Sequence, residues 1–356
     1  PEATLVAEIV NDILTKLNRS SIGDHQGIVG IVGIETHIAR IQSLMHHESP
    51  DIRIIGLWGM GGIGKTTIAR QIYHKLALQF GSSSLVLNVR EEIERHGIHH
   101  IRSKYISELL EEDRNFSNER LKQTKVLLIL DDVNDSGQLK DLIGERGDFG
   151  QGSRIILTSR DMQVLKNAEA EIYEVKEMNS QDSLNLFSIH AFKQNHPIEN
   201  YKDLSIEVLH YAKGIPLALE ILGSLLYGRT KEAWEDQLQK LEKLPDPKIF
   251  NVLKQSYDGL DKQQKDIFLD IACFYRGRRE IDVAQELERC GFSAKIGMDV
   301  LKDRCLISIL NGIIEMHDLI QEMGQEIVHQ ECRHNPGKRS RLWKAEEICR
   351  VLEKNK

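Results

Sequence analysis

The sequence predicts an α/β protein: a parallel sheet carrying a phosphate-binding loop, then a helical subdomain and a winged-helix subdomain. Three observations carry this reading. A glycine-rich turn joins an apolar run to a helical stretch between Ile52 and Gln79, and further short apolar runs alternate with helices up to about Glu177. Beyond that point helices prevail, until one hairpin appears near Asn311.

Taken in order, Leu5, Ile9, Ile13 and Leu17 recur at helical spacing and predict a lead-in helix from Glu2 to Asn18, stopped by Ser20-Ser21-Ile22-Gly23. Ile52 to Trp58 reads as a strand. Lys65 to Gln79, with Ile68, Ile72 and Leu76 in step, reads as a helix. Leu85-Val86-Leu87, Val126 to Leu130 and Arg154 to Thr158 are further apolar runs. They are separated by helical stretches bearing Ile106, Leu109 and Leu110, then Leu139 and Leu142. Strands apolar throughout, rather than at alternate residues, belong to a parallel sheet covered on both faces. Helical periodicity then marks Ser183 to Phe192, Leu204 to Ala212, Leu217 to Leu226 and Trp234 to Leu241, with a break at Pro245-Asp246-Pro247. Helices resume at Ile249 and run to about Val300. Leu306 to Ile309 and Ile313 to Met316 flank an Asn311-Gly312 turn, the signature of a hairpin. The boundaries expected are a linker helix at 1–20, a nucleotide-binding subdomain at 21–177, a helical subdomain at 178–248 and a winged-helix subdomain at 249–356.

Composition narrows the classes. The chain has 356 residues, 40% hydrophobic and 28% charged, with a net charge of -7, which excludes disordered and fibrous classes and gives no global basic field for nucleic acid. The five cysteines lie in the last quarter with no C-x-x-C pair, and are read as buried reduced thiols. No apolar run approaches the roughly 18 residues of a membrane span. The longest, Ile215 to Leu226, is interrupted by Glu220 and Gly223. The chain opens at Pro1 rather than Met and is read as an excised piece.

Gly59-Met60-Gly61-Gly62-Ile63-Gly64-Lys65-Thr66 satisfies G-x-x-x-x-G-K-[ST]. Glycines let backbone N–H groups converge on phosphate oxygens, the following helix adds its positive end, Lys65 neutralises charge and the Thr66 hydroxyl can ligate magnesium. The same stretch contains Gly59-x-Gly61-x-x-Gly64, a weak dinucleotide fingerprint. That alternative needs a carboxylate at the end of the next strand, where Asn88 stands, and leaves Lys65-Thr66 unexplained. Val126 to Leu130 ends in Asp131-Asp132. Asp131 is the expected holder of the magnesium shell, and Asp132 could orient or deprotonate the attacking water; the bland reading is a strand ending in a helix cap. Arg154 to Ser159 ends in Arg160. Strands of a parallel sheet end on one edge, so Arg160 should emerge near the phosphates and could sense a terminal one, the alternative being a salt bridge to Asp131 or Asp161.

Weaker features are a basic run, Arg333, Lys338, Arg339, Arg341 and Lys344, read as a solvated linker, and the trio His96, His99 and His100, read as a loop.

Several blocks together resemble the nucleotide-binding (NB-ARC) region of plant disease-resistance receptors, the NLR proteins, and within them the class with an N-terminal TIR domain. The blocks are Gly56 to Thr67, Leu130-Asp131-Asp132-Val133-Asn134-Asp135, Gly152 to Asp161, Gly214-Ile215-Pro216-Leu217-Ala218-Leu219 and Met316-His317-Asp318. Asp135, Asn88 to Glu92 and Phe268 to Phe274 are similar to the TIR class in particular. Ile215 replaces the commoner Leu.

The resemblance implies a STAND-type ATPase, related to AAA proteins, in which ADP is clamped between subdomains at rest and ATP permits a ring-like oligomer. It implies Ile31 and Val32 near the adenine, Pro216 with Leu217 on the base, and Gly59, Gly61, Gly62, Ile63, Gly64, Lys65, Thr66 and Thr67 at the phosphates. Arg160 and His317 would read nucleotide state, with His317 at the β-phosphate; Thr66 and Asp131 would hold Mg2+, and Asp132, Asp131 and Lys65 would serve slow ATP hydrolysis. From its residues alone, His317 is a satisfied histidine at a hairpin exit. Expected partners are the adenine nucleotide, further copies, and the TIR and leucine-rich-repeat domains of a parent chain in the cytoplasm or nucleus. The NAD-cleaving activity associated with a TIR domain would lie outside these residues. A membrane is not expected. The alternative, a DNA-loading ATPase with a winged helix, is disfavoured because the hairpin Leu306 to Met316 carries Glu315 and no Lys or Arg. A simple metabolic kinase leaves residues 178–356 without a role.

Overall fold

The computed structural model describes residues 31–45, 50–110, 118–144, 146–241 and 244–354. The helix expected at Glu2 to Asn18 lies outside them. Ile31 closes one unit of the chain, and everything that follows belongs to the unit beginning at Val32.

Apolar runs without alternation form the sheet. Its strands are β1 (Arg53–Trp58), β2 (Ser82–Val86), β3 (Val126–Leu130), β4 (Arg154–Ser159) and β5 (Glu171–Glu174), all parallel, in the order β2-β3-β4-β1-β5. Every residue of β3 and β4 is buried. Each Val, Leu or Ile so placed contributes roughly 1.5–3 kcal/mol relative to exposure. Helices α1 (Ile34–Met45), α2 (Lys65–Leu76), α3 (Val89–His96), α4 (Ile98–Leu109), α5 (Ser136–Ile143) and α6 (Met162–Asn167) accompany the strands. Arg154 at the start of β4 is fully buried, and donates to the Met45 carbonyl at 2.5 Å and the Asp51 carbonyl at 2.7 Å, tying the end of α1 to the sheet.

Beyond Glu174 the chain is helical: α7 (Ser180–Phe192), α8 (Lys202–Ala212), α9 (Pro216–Leu226) and α10 (Lys231–Leu241). They close on Trp234, 1% exposed, whose ring meets Phe187, Phe192 and Tyr201 and whose Nε1 donates to the Leu226 carbonyl at 3.0 Å. Helices α11 (Pro247–Asp258), α12 (Lys262–Asp270), α13 (Glu280–Arg289) and α14 (Ala294–Asp303) lead to a hairpin, β6 (Ser308–Leu310) and β7 (Ile313–Glu315). Its two turn residues, Asn311 at φ 52° and Gly312 at φ 75°, have the left-handed pair that a type I′ turn requires. Helices α15 (Asp318–Glu331) and α16 (Ala345–Lys354) complete the described chain.

Some expectations need correction. Strand β2 starts three residues before the apolar run because Ser84 is buried and satisfied, its hydroxyl donating to Glu108 at 2.6 Å. Strand β5 and helix α1 were not predicted. The basic run is no solvated linker: Arg339 is buried and pairs with Glu347 at 2.9 Å, while Arg341 reaches Asp270 at 2.5 Å and Asp266 at 3.2 Å. These pairs fix α16 and the preceding turn to α12. The thiols are not buried: Cys290 and Cys349 are exposed and Cys273, Cys305 and Cys332 half-buried. The histidine trio lies on helices, with His96 ending α3 and His99 and His100 in the first turn of α4, rather than in a loop.

Candidate nucleotide site

The loop from β1 to α2 turns sharply because Gly62 and Gly64 hold φ of 81° and 101°, where a side chain is strained. Space also demands glycine. A Cβ on Gly61 would stand 2.8 Å from Arg160 Nη1, and one on Gly62 would stand 2.9 Å from Leu217 Cβ. The amides of the first turn of α2 have no intrahelical acceptor, and they face the loop with the positive end of the helix dipole.

Lys65 is 7% exposed, and its ammonium donates to the Gly59 carbonyl at 2.7 Å and the Met60 carbonyl at 2.9 Å. Burial, and then the Arg160 cation, push its pKa down to about 8. An anion beside it would relieve both effects. Beneath the loop, fully buried Asp131 accepts from the Thr66 hydroxyl at 3.0 and 3.1 Å and from the Thr158 hydroxyl at 2.6 Å. A hydroxyl and a carboxylate in contact are the hard oxygen donors that magnesium uses when phosphate oxygens and water complete its shell. The residues present therefore fit that ion. Among the described residues no group of three or more His, Cys, Asp or Glu side chains could hold a metal ion.

Asp132 turns away from Asp131 because its backbone is left-handed, at φ 60°, and its N–H donates to the Thr158 hydroxyl at 2.9 Å. Its carboxylate meets Arg90 at 3.0 Å and Arg160 at 3.7 Å. Arg160 in turn donates to the Val252 carbonyl of α11 at 2.8 Å, and burial lowers its pKa. The alternative partners expected for Arg160, Asp131 and Asp161, do not pair with it; Asp161 pairs with Arg304 at 3.1 Å.

These groups line one cleft of about 260 Å³, with Gly61, Gly62, Gly64, Lys65, Thr66 and Thr67 on one side. Asn88, Arg90, Asp132, Thr158 and Arg160 form another part of the wall, and Pro216, Leu217, Glu220 and Gln255 bring in α9 and α11. The Leu217 N–H donates to the Gly62 carbonyl at 3.2 Å, joining α9 to the loop. Burial raises the pKa of Glu220.

Other expected residues stand outside this lining. His317 caps α15: Nδ1 accepts from the Leu319 N–H at 3.2 Å, and Nε2 lies 3.5 Å from the Lys213 carbonyl, three residues before Pro216. Burial lowers its pKa, and an Nδ1 that accepts leaves the proton on Nε2. Val32 is half-buried just before α1, where a Cβ on Gly33 would stand 2.5 Å from Asp182 of α7. Ile31 belongs to the preceding unit. Gly59, Ile63 and Asp131 are buried and are not among the residues that line the cleft. Sequence reasoning gave no role to Arg90, Gln255 or Glu220. Arg90 did stand in a block shared with the TIR class, which was the available signal.

A parallel sheet with this loop, and with α9 and α11 in the lining of the same cleft, defines a phosphate-loop nucleotide-binding protein. Residues 34–197 match the NB-ARC domain, and residues 261–332 match the winged-helix domain of Roq1-like disease resistance proteins. The chain thus carries an NB-ARC domain and a Roq1-like winged-helix domain, and the plant disease-resistance proteins it is similar to are of the TIR type. It is 39% identical to Disease resistance protein RUN1 of Vitis rotundifolia, over 99% of this chain and 27% of that protein. It is 40% identical to TMV resistance protein N of Nicotiana glutinosa, over 99% of this chain and 32% of that one. The chain thus spans about a third of the length of these relatives or less. Among solved structures, the walker-type ATPase paby2304 of Pyrococcus abyssi shares the fold, with a TM-score of 0.57 at 14% identity, covering 85% of this chain and 99% of that one. Among the described residues no helix is long and apolar enough to cross a membrane.

Proposed function

We propose that the chain is the ADP/ATP switch of a plant immune receptor. At rest it holds ADP, and exchange for ATP loosens α9 and α11 from the loop and permits a ring-like oligomer that signals defence. One observation carries this: a single cleft is walled by the phosphate loop, by α9 and by α11, so a bound nucleotide touches all three. A ligand moves such an equilibrium only by its differential affinity for the two arrangements.

In this reading the loop amides, Lys65, Thr66 and Thr67 bind the phosphates, with Gly59 and Ile63 shaping the loop, and Pro216 and Leu217 cover the base, with Val32 on its far side. Thr66 and Asp131 hold magnesium, which when bound neutralises phosphate charge. Asp132 orients the water for slow hydrolysis. Arg160 reads a terminal phosphate, and His317, carrying its proton on Nε2, donates to the β-phosphate of ADP once the Lys213 carbonyl releases it. The subdomains are 21–177, 178–248 and 249–356. Partners are adenine nucleotide, further copies, and TIR and leucine-rich-repeat domains of a parent chain, in the cytoplasm or nucleus.

The test is to denature the purified chain and chromatograph the supernatant. An adenine nucleotide is expected. Recovery of none, together with no ADP or ATP binding by calorimetry, overturns the reading.

A further inference from the structure

Helix α11 touches the cleft through two residues one turn apart on the same face. Arg160 Nη1 donates to the Val252 carbonyl at 2.8 Å, and Arg90 Nη2 donates to Gln255 Oε1 at 3.3 Å. The same guanidiniums converge on Asp132, Arg90 at 3.0 Å and Arg160 at 3.7 Å. Two cations therefore share one carboxylate, and all three side chains are only about one-fifth exposed, at 22%, 22% and 20%. The other acids of the lining offer little further neutralisation. Glu91 pairs with Arg95 at 3.5 Å at the surface, and burial disfavours the charged form of Glu220.

Such a surplus of positive charge in a half-buried wall attracts an anion strongly, and a guanidinium offers phosphate a two-pronged, charge-assisted contact that a neutral amide oxygen or a carbonyl cannot match. The loop amides and Lys65 serve phosphates common to ADP and ATP. The arginine pair in the same lining supplies charge that matches the extra phosphate of a triphosphate.

We propose that Arg90 is a second residue, beside Arg160, that distinguishes a nucleoside triphosphate from a diphosphate, and that exchanging Gln255 and Val252 for phosphate oxygens is what frees α11. The proposal rests on the reading of this cleft as the nucleotide site. It makes the contact of Arg90 with Gln255 a strap of the diphosphate form, and it makes Asp132 the internal competitor that a terminal phosphate displaces.

The test uses the whole chain with Mg2+, titrated with fluorescent ADP and with a non-hydrolysable ATP analogue. Arg90→Ala should weaken the triphosphate by roughly tenfold or more, the loss expected for a hydrogen bond to a charged group, and weaken the diphosphate by less, through loss of the strap alone. Arg90→Lys, which keeps the charge but not the fork, should recover part of the loss. Gln255→Ala removes the strap without touching charge, and should tighten the triphosphate relative to the diphosphate. Lys254→Ala, on the same helix but outside the cleft lining, should change neither. Equal weakening of both nucleotides by Arg90→Ala, or weakening of neither, overturns the proposal, as does Gln255→Ala leaving the ratio of affinities at the wild-type value. Binding of neither nucleotide by the unsubstituted chain overturns instead the reading of the cleft itself, and the proposal with it.

Discussion

Raising the pH through 8 should weaken nucleotide binding, and Lys65 is the group responsible. Its side chain is buried, and its pKa falls from 10.5 to about 8 through burial and then the Arg160 cation. That fall corresponds to a bias of roughly 3 kcal/mol against the ammonium relative to an exposed lysine. At neutral pH the proton stays on, held by the Gly59 and Met60 carbonyls at 2.7 and 2.9 Å. A phosphate placed beside it removes the bias, so binding must be accompanied by proton uptake wherever the free form has begun to deprotonate. At about pH 8.5 the expected uptake is roughly three-quarters of a proton, and at about pH 7 roughly a tenth. Folding carries the mirror-image dependence. Between about pH 8 and 10.5 the unfolded lysine holds more protons than the nucleotide-free native chain, so stability rises with pH across that window, by up to roughly 3 kcal/mol, and is flat with respect to this group below it. Calorimetric titration with ADP, in two buffers of different ionisation enthalpy at each pH, measures the uptake directly. Lys65→Met should lose nucleotide binding, and its urea midpoint should lose this rise above pH 8. Intact binding at about pH 8.5 with no proton uptake would show that Lys65 is not the group responsible.

Further expectations follow from the same geometry. Asp131→Asn keeps the shape beneath the loop but removes the carboxylate met by Thr66 and Thr158, so the enhancement of ATP affinity by Mg2+ should fall roughly tenfold or more, read by titration with and without the ion. Asp132→Asn frees Arg90 and Arg160 from their shared acid; ATP should bind more tightly while single-turnover hydrolysis slows by roughly a hundredfold. Trp234→Ala empties the aromatic core among α7 to α10 and should cost about 3–5 kcal/mol in urea unfolding. His317→Ala removes the cap of α15, costing about 1 kcal/mol of stability, and should also speed ADP release. An unchanged ADP off-rate removes His317 from the clamp.

The parts of the site legible in the sequence were those written in contiguous residues. Ile54 to Thr67 and Val126 to Asp132 pair a fully apolar strand with the residues at its end, so a periodicity argument and a chemical one point to the same place. What escaped was set by distance along the chain or by backbone conformation. Strand β5 is a polar edge of four residues with only two half-buried, too short and too mixed to show either period. Arg339 and Arg341 look solvated until folding brings Glu347, Asp266 and Asp270 to them. Arg90 enters the cleft because Asn88, at φ 51°, turns the chain at the end of β2, and its partners Asp132 and Gln255 lie 42 and 165 positions away. Helix α1 is a different case: Ile34, Ile38, Ile41 and Met45 carry helical spacing that was there to be read.

The central claim is that nucleotide state governs how α11 sits on the cleft. Hydrogen exchange of the α11 amides, compared between the chain loaded with ADP and the chain loaded with a Mg2+-bound non-hydrolysable ATP analogue, tests it most directly. Faster exchange along Phe250 to Tyr257 is expected with the triphosphate. Identical exchange in the two complexes, with both nucleotides shown to be bound, would contradict it.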